Sequence, residues 1–261
     1  MSIIGKVASL WRYPVKSMSG EELDEAFAGY SGIYGDRVFA FRSSANHKGF
    51  PYFTARDQRR LLQYRPRFRH PDEAARPINL IEAESRGANP LLADLAELMV
   101  DVETPDGRKL AIDDPALIEM LRADIDQKHQ VTVIQSQRAM TDCRPVSMFS
   151  LQSAQQLAEE TGTPIDKRRF RANVYVDLTS AKGFAENELV GRSIRIGPKA
   201  VITILERDPR CVIITLDPDT GEQAPAILKK VAQAHDGMAG VYGAVLHEGL
   251  IHKGDSVEVL S

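Results

Sequence analysis

The sequence predicts an α+β fold that is mainly strand, and three observations carry that expectation. Short β-branched runs such as "NVYVDL", "SIRIG", "AVITILE" and "SVEVL" recur between turns rich in Gly, Pro and Asp. Amphipathic helical stripes are few, and strands and helices do not alternate as a doubly wound parallel sheet requires. At 261 residues the chain has room for two packed units or one large β-rich domain.

Each element has its own signal. "KVASLWRYPVKS" begins as a strand and must end or leave the sheet at Pro14, which has no N–H for a ladder, so Lys16 and Ser17 fall at a strand exit. "YSGIYGDRVFAFRSS" is a glycine turn feeding a strand in which Arg37, Phe39 and Phe41 alternate with Val38 and Ala40. "NPLLADLAELM" sets Leu91, Leu95 and Leu98 on one helical face. "MVDVETPDGRKLAID" is a hairpin turning through Pro105, Asp106 and Gly107. "DDPALIEMLRADI" predicts a helix capped by Asp114 with Pro115 in its first turn. "SLQSAQQLAEETG" places Leu151, Ala154 and Leu157 on one stripe and stops at Gly162. "VIITL" reads as a strand after Cys211, "DPDTG" as the turn that follows, and "APAILKKVAQAH" as the last helix.

Composition excludes several classes. Hydrophobic content of 43% and charged content of 26% are those of a globular protein, not a disordered or fibrous one. A net charge of −3 gives no overall attraction to nucleic acid or anionic membrane. "MSIIGKVASLWRYPVK" lacks a signal-peptide core, and no later run has the length of a membrane span, so a cytoplasmic protein is expected. Two cysteines, Cys143 and Cys211, cannot build a disulfide framework or hold a four-cysteine iron–sulfur cluster, and no CxxC or close His pair offers a zinc site. His247 and His252 in "HEGLIH" have the wrong spacing for one metal-binding face and are read as structural or surface groups. GxGxxG, GxxxxGK[ST] and GxSxG are all missing. "DPDTGEQAPAIL" imitates a calcium loop but has Glu222 where Gly is needed and Leu228 where Glu is needed.

Arginine is unevenly placed. "ARDQRRLLQYRPRFRH" carries six, "DKRRFRANV" carries Lys167, Arg168, Arg169 and Arg171, and "ERDPRC" carries Arg207 and Arg210. In a net-acidic chain such clusters suggest a local anion site, because the guanidinium fork matches phosphate. A surface arginine is the commoner case, so only convergence on one pocket would mark a site. Interleaved Tyr64, Phe68 and Phe170 could stack nucleic-acid bases, but a core role suits them better, and no nucleic-acid partner is expected. Cys211 also has two readings. Free cysteine is among the most buried residue types, whereas flanking arginines favour a thiolate that ligates metals or attacks electrophiles.

Several separate stretches resemble one family. "YPVKSMSGEEL", "GIYGDRVFAF" and "FTAR" are similar to the N-terminal β-barrel domain of MOSC proteins, and "RFRANVYVDL", "PRCVIITLDPDTGE" and "IHKGDSVEVL" to the MOSC domain, in family order over nearly the whole chain. The resemblance implies an N-terminal MOSC β-barrel domain over residues 1–120 and a MOSC domain over residues 121–261. The family includes the mitochondrial amidoxime-reducing component, bacterial reductases of N-hydroxylated compounds and the C-terminal part of molybdenum cofactor sulfurases. For the reductases it implies a molybdenum cofactor (Mo-molybdopterin) held between the domains, with a cysteine thiolate, here Cys211, as the protein's ligand to the metal. Lys16, Ser17, Arg37, Arg56, Arg171 and Asn173 are the implied cofactor-binding residues. The implied reaction removes oxygen from an N-hydroxylated small molecule. Some relatives carry a C-terminal ferredoxin domain; this chain has no cysteines for one, so a separate electron-donor protein is expected. The pyridoxal phosphate of the sulfurases belongs to a different domain and is not expected. Cys143 has no transferred role. A cofactor or sulfur carrier using Cys211 is the alternative reading.

Overall fold

The computed structural model describes residues 2–46, 49–92, 94–123 and 130–260. The N-terminal part contributes strands β1 (Ser2–Arg12), β2 (Glu21–Leu23), β3 (Glu25–Gly29), β4 (Gly32–Ile33), β5 (Phe39–Ser43), β6 (Tyr52–Phe53) and β7 (Arg65–Phe68). Helix α1 (Leu80–Ser85), strands β8 (Val100–Glu103) and β9 (Lys109–Ala111), helix α2 (Pro115–Arg122) and strand β10 (Val131–Gln135) follow. The C-terminal part adds β11 (Val146–Ser150), α3 (Leu151–Thr161), β12 (Val174–Leu178), β13 (Ser193–Ile196), β14 (Ala200–Pro209), α4 (Pro225–Ala234), β15 (Met238–His247), β16 (Gly249–His252) and β17 (Ser256–Val259).

Eight strands form one sheet in the order β12-β11-β15-β14-β13-β17-β1-β2, and an antiparallel β12–β1 pairing closes seven of them into a barrel. The β11–β12 pair is parallel, with α3 as its crossover; the other pairs in this sheet are antiparallel. Inward-facing Val7, Val176, Ile194, Ile202, Val241 and Val257 fill the barrel, the packed interior expected of a small closed sheet. The barrel is therefore built from both ends of the sequence. Three smaller sheets, β10-β5-β6, β16-β3-β4 and β7-β8-β9, flank it, and a second core around Phe39, Phe41, Phe53, Leu61, Leu98 and Leu117 holds the N-terminal part together.

Most local expectations match. β1 ends at Arg12, before Pro14, and the 100–111 hairpin turns with Gly107 at φ +84. The Asp114 side chain accepts from the Ala116 N–H at the start of α2, and Gly162 ends α3 in the left-handed conformation. The end of the stretch read as α2 lies outside the described residues, as does Ala93.

Two expectations fail. The helix expected over 89–99 is a turn at residues 95–98: Leu91 and Leu92 stay exposed and only Leu98 reaches the core, so the stripe has no surface to pack on. "VIITL" is not a strand. Pro209 ends β14, and Val212–Thr215 form one 3-10 turn in which the Thr215 hydroxyl donates to the Val212 carbonyl (2.7 Å). Burial of Ile214 against Phe149, Phe170, Ile227 and Val231 overrides the β-branched preference. The turn expected at "DPDTG" is present: Asp217 Oδ1 accepts from the N–H groups of Asp219 and Thr220, and Gly221 has φ +73.

Candidate functional site

Where β14 leaves the barrel, the chain faces the loops that follow β1, β4 and β6 across a cleft of about 670 Å³, including its solvent-open mouth. Lys16, Ser17, Arg37, Arg56, Arg171 and Cys211 all line it. Asn173 does not. It is buried inside the barrel wall, where its Oδ1 accepts from the Ser147 N–H and its Nδ2 donates to the Trp11 carbonyl (3.3 Å). Asn173 thus ties β11 to β1 behind the cleft, and only Ser147 of that group faces inward.

The backbone is bent to present these groups. Among the described residues six non-glycine positions have positive φ, and Ser17 (+67), Arg37 (+48) and Arg171 (+51) are three of them. A left-handed conformation costs an L-residue roughly 1–2 kcal/mol, and such outliers concentrate at functional sites. Arg37 and Arg171 converge on Tyr13, their guanidinium carbons 4.7 and 4.2 Å from its ring centre. Arg37 is further held by Asp36 and by the Arg171 carbonyl (2.9 Å). Arg171 Nη2 is buried without a hydrogen-bond partner, and burial, eased by Tyr13 and reinforced by Arg37, lowers its pKa to about 10.

A second group sits at the rim. Lys16, almost wholly buried, donates to the Met140 carbonyl (2.8 Å) and pairs with Asp142, which also accepts from Arg56 Nη2 (2.9 Å). Burial pulls the Lys16 pKa down against the pull of Asp142. The Asp142 carboxyl is pushed up by burial, but Lys16 and Arg56 outweigh that and hold it below its ordinary value. Arg56 lies beside Cys211 as well; burial opposes its charge, yet Cys211 and Asp142 raise its pKa overall. Cys211 is half-buried and directly precedes the 3-10 turn.

Sequence reasoning left out several groups that line this cleft. Asp208, Asp142 and Tyr242 belong to no motif, and the fold alone gathers them. Asp208 is 1% exposed and lies 2.7 Å from Arg210 Nη2, although the two are not aligned as a hydrogen bond. Burial raises its pKa to about 7, with Arg210 opposing and Asp142 adding to the rise. Arg169 and Arg210, visible in the sequence only as cluster members, are fixed to backbone carbonyls of Thr215 (2.9 Å) and Phe170 (2.8 Å). The rest of the arginine clusters disperses to surface pairs such as Arg69–Asp101 and Arg207–Asp236. Tyr64, Phe68 and Phe170 are buried, which removes them as stacking platforms.

Six cations and two carboxylates line the cleft, Asp36 and Asp217 pair Arg37 and Arg169 from outside its lining, and Arg171 Nη2 has no hydrogen-bond partner, an arrangement whose field suits an anion. Among the described residues no group of three His, Cys, Asp or Glu side chains is placed to hold a metal ion, so at this cleft the chain offers a metal one cysteine sulfur. That donor set fits a metal that arrives with its other ligands in an anionic organic group, such as a molybdenum dithiolene bearing a phosphate.

Comparison with known proteins agrees with this architecture. The model of the MOSC N-terminal beta barrel domain matches residues 4–144, more than half of the chain, and that of the MOSC domain matches residues 135–258. The chain belongs to the MOSC family. MOSC domains are associated with molybdenum-cofactor proteins. Among solved structures, the YuaD protein of Bacillus subtilis aligns at 17% identity and TM-score 0.48, covering 98% of this chain and 96% of its own. YiiM from Geobacillus stearothermophilus aligns at 19% identity and TM-score 0.36, over 45% of this MOSC protein and 55% of YiiM. YiiM from Escherichia coli aligns at 16% and 0.34 over the same shares. No functionally curated protein matches the chain.

Proposed function

We propose that this MOSC protein is a molybdenum-cofactor-dependent reductase of N-hydroxylated or related N-oxygenated small molecules, supplied with electrons by a separate donor protein. The convergence of Lys16, Arg37, Arg56, Arg171 and Cys211 on one cleft carries the reading. Cys211 Sγ is the sulfur that would ligate the metal as thiolate, and Arg56, at the rim beside it, would favour that form. Arg37 and Arg171, clamped over Tyr13, and Lys16 and Ser17 on the loop after β1 would hold the anionic tail. The bound group would supply two-electron oxygen-atom transfer, and the protein contributes position and field. The net change breaks the N–O bond: one N-hydroxyl compound, two electrons and two protons give the amine or amidine and one water. Asp208, buried beside Arg210 and Tyr242, is the cleft's candidate for holding one of those protons near neutral pH.

The test uses protein purified from a host that makes the cofactor, compared with Cys211→Ser. Wild type is expected to carry molybdenum and pterin and to reduce benzamidoxime with an artificial electron donor, and the variant to lose the metal or show an altered metal spectrum. Folded wild type without molybdenum or pterin overturns the proposal. Sulfur labelling at Cys211 without benzamidoxime reduction would point instead to a carrier.

A further inference from the structure

On the far side of Arg171 lies a second cleft, of about 590 Å³ with its open mouth, which contains none of the Cys211 rim. Its walls come from β1, the loop after it, β7 and the segments around Arg168 and Pro218. Two polar atoms in these walls, Trp11 Nε1 and Ser19 Oγ, are buried and lack any hydrogen-bond partner, whereas the unpartnered Arg171 Nη2 in the shared wall belongs to the first cleft. An indole N–H can only donate, and a hydroxyl rotates to donate. A buried donor left unpaired costs about 1–3 kcal/mol, so two beside one cavity call for a partner.

The surrounding charges have a matching arrangement. Arg168 is fixed as part of the wall by Asp166 and Asp219, each at 2.6 Å. Arg65 and Arg67 are more than half exposed, and their recorded ion pairs, to Glu103 and Glu21, are long at 3.7 and 3.9 Å. Loose pairs of that kind are worth little to the folded state, so either guanidinium can exchange its carboxylate for a ligand, Arg67 also giving up a 3.3 Å bond to the Pro66 carbonyl. Donors in the walls and loosely paired, exposed cations at the mouth call for a ligand that only accepts and carries negative charge.

We propose that this second cleft is a binding site for a phosphate group, taken either as inorganic phosphate or as a small phosphate ester. Tetrahedral oxygens satisfy several diverging donors at once, and the planar forks of Arg65 and Arg67 pair with them in two-pronged fashion. The site is distinct from the cleft at Cys211, and Arg171 is the wall between the two.

Trp11 is the chain's single tryptophan, so its fluorescence reports on this cleft without background. Cofactor-free and cofactor-loaded full-length protein are titrated with inorganic phosphate and with glycerol phosphate, against sodium chloride at equal ionic strength. Saturable change in Trp11 emission with phosphate or its ester, but not chloride, is expected in both forms. Which of the two saturates at lower concentration identifies the source. Ser19→Ala is expected to weaken half-saturation several-fold and to raise the melting temperature of the ligand-free protein, because it removes an unpaired buried hydroxyl; Arg65→Gln/Arg67→Gln is expected to weaken half-saturation about tenfold or more through the loss of charge-assisted hydrogen bonds, with melting unchanged, and metal content is unchanged in both. Absence of a saturable phosphate response in cofactor-free protein overturns the proposal. So does a response that cofactor loading abolishes, since the pocket would then belong to the cofactor. Neither result depends on turnover, so the reductase reading stands or falls separately.

Discussion

Asp208 is the residue whose surroundings most oppose its ordinary charge. It faces Arg210 from its own segment, Tyr242 from β15, Asp142 from the rim and Arg37 from the opposite wall, and burial dominates, setting its pKa at about 7 against an unfolded value of 3.8. Between those two values the folded protein holds a proton that the unfolded chain has lost, so this group's contribution is fully present below pH 3.8 and is lost as pH rises to about 7. The slope is at most about 1.4 kcal/mol per pH unit. Asp208→Asn, neutral at every pH, is expected to gain stability relative to wild type as pH rises from 5 to 8. Denaturant midpoints across that range check it, and parallel profiles would refute the assignment. Nothing in the sequence announced this residue. In "RDPRC" it reads as one more surface charge, and only the barrel wall around β14 and β15 removes it from water. Cys211, Lys16, Arg37 and Arg56 were legible because short motifs marked them. Asn173, picked out by the same kind of motif, stands behind the cleft wall, where its side chain ties strands together.

At the level of elements, the cleft depends on how β14 and β15 end. β14 and β15 are paired with irregular register as far as Pro209 and Met238, and Gly240 of β15 has φ +82. A Cβ there would meet the Met148 carbonyl oxygen at 2.8 Å and Arg210 Nη2 at 3.1 Å. Gly240→Ala therefore adds a backbone clash with β11 to the left-handed penalty and presses on the guanidinium that faces Asp208. Gly162→Ala, also left-handed at φ +65, has nothing within 4 Å of its new Cβ. The expected loss is about 1 kcal/mol for Gly162→Ala, and about 2–4 kcal/mol for Gly240→Ala once the close contact is added. Urea melts of the two variants test the order, and equal losses would mean that β11 yields freely. The two helices with side-chain caps, α2 and α3, were readable because capping is local. The 3-10 turn after Cys211 was not, because its side chains answer to Phe149, Phe170 and α4, residues distant in sequence.

Across the whole molecule, the two segments that family comparison separates are not independent bodies. β1 supplies the staves between β12 and β17, with Gly5 opposite Leu178 and Ser2 opposite Val259. β3 pairs with β16, so a strand near the C-terminus also completes an N-terminal sheet. A fragment spanning residues 130–260 would keep six of the seven barrel strands and expose two unpaired edges, together with the buried face that Val7 and Leu10 cover. Open edges beside an uncovered apolar face favour association with other chains. Such a fragment is expected to aggregate or to melt without cooperativity. Residues 2–23 attached to its C-terminus through a flexible linker should restore a closed barrel and a cooperative transition, because β1 pairs antiparallel with both neighbours and can be reached from either end. Calorimetry and size-exclusion chromatography of the two fragments read the difference. A cooperatively folding, monomeric 130–260 fragment would show that barrel closure by β1 is dispensable, and would free the cleft's position from its dependence on the N-terminal strand.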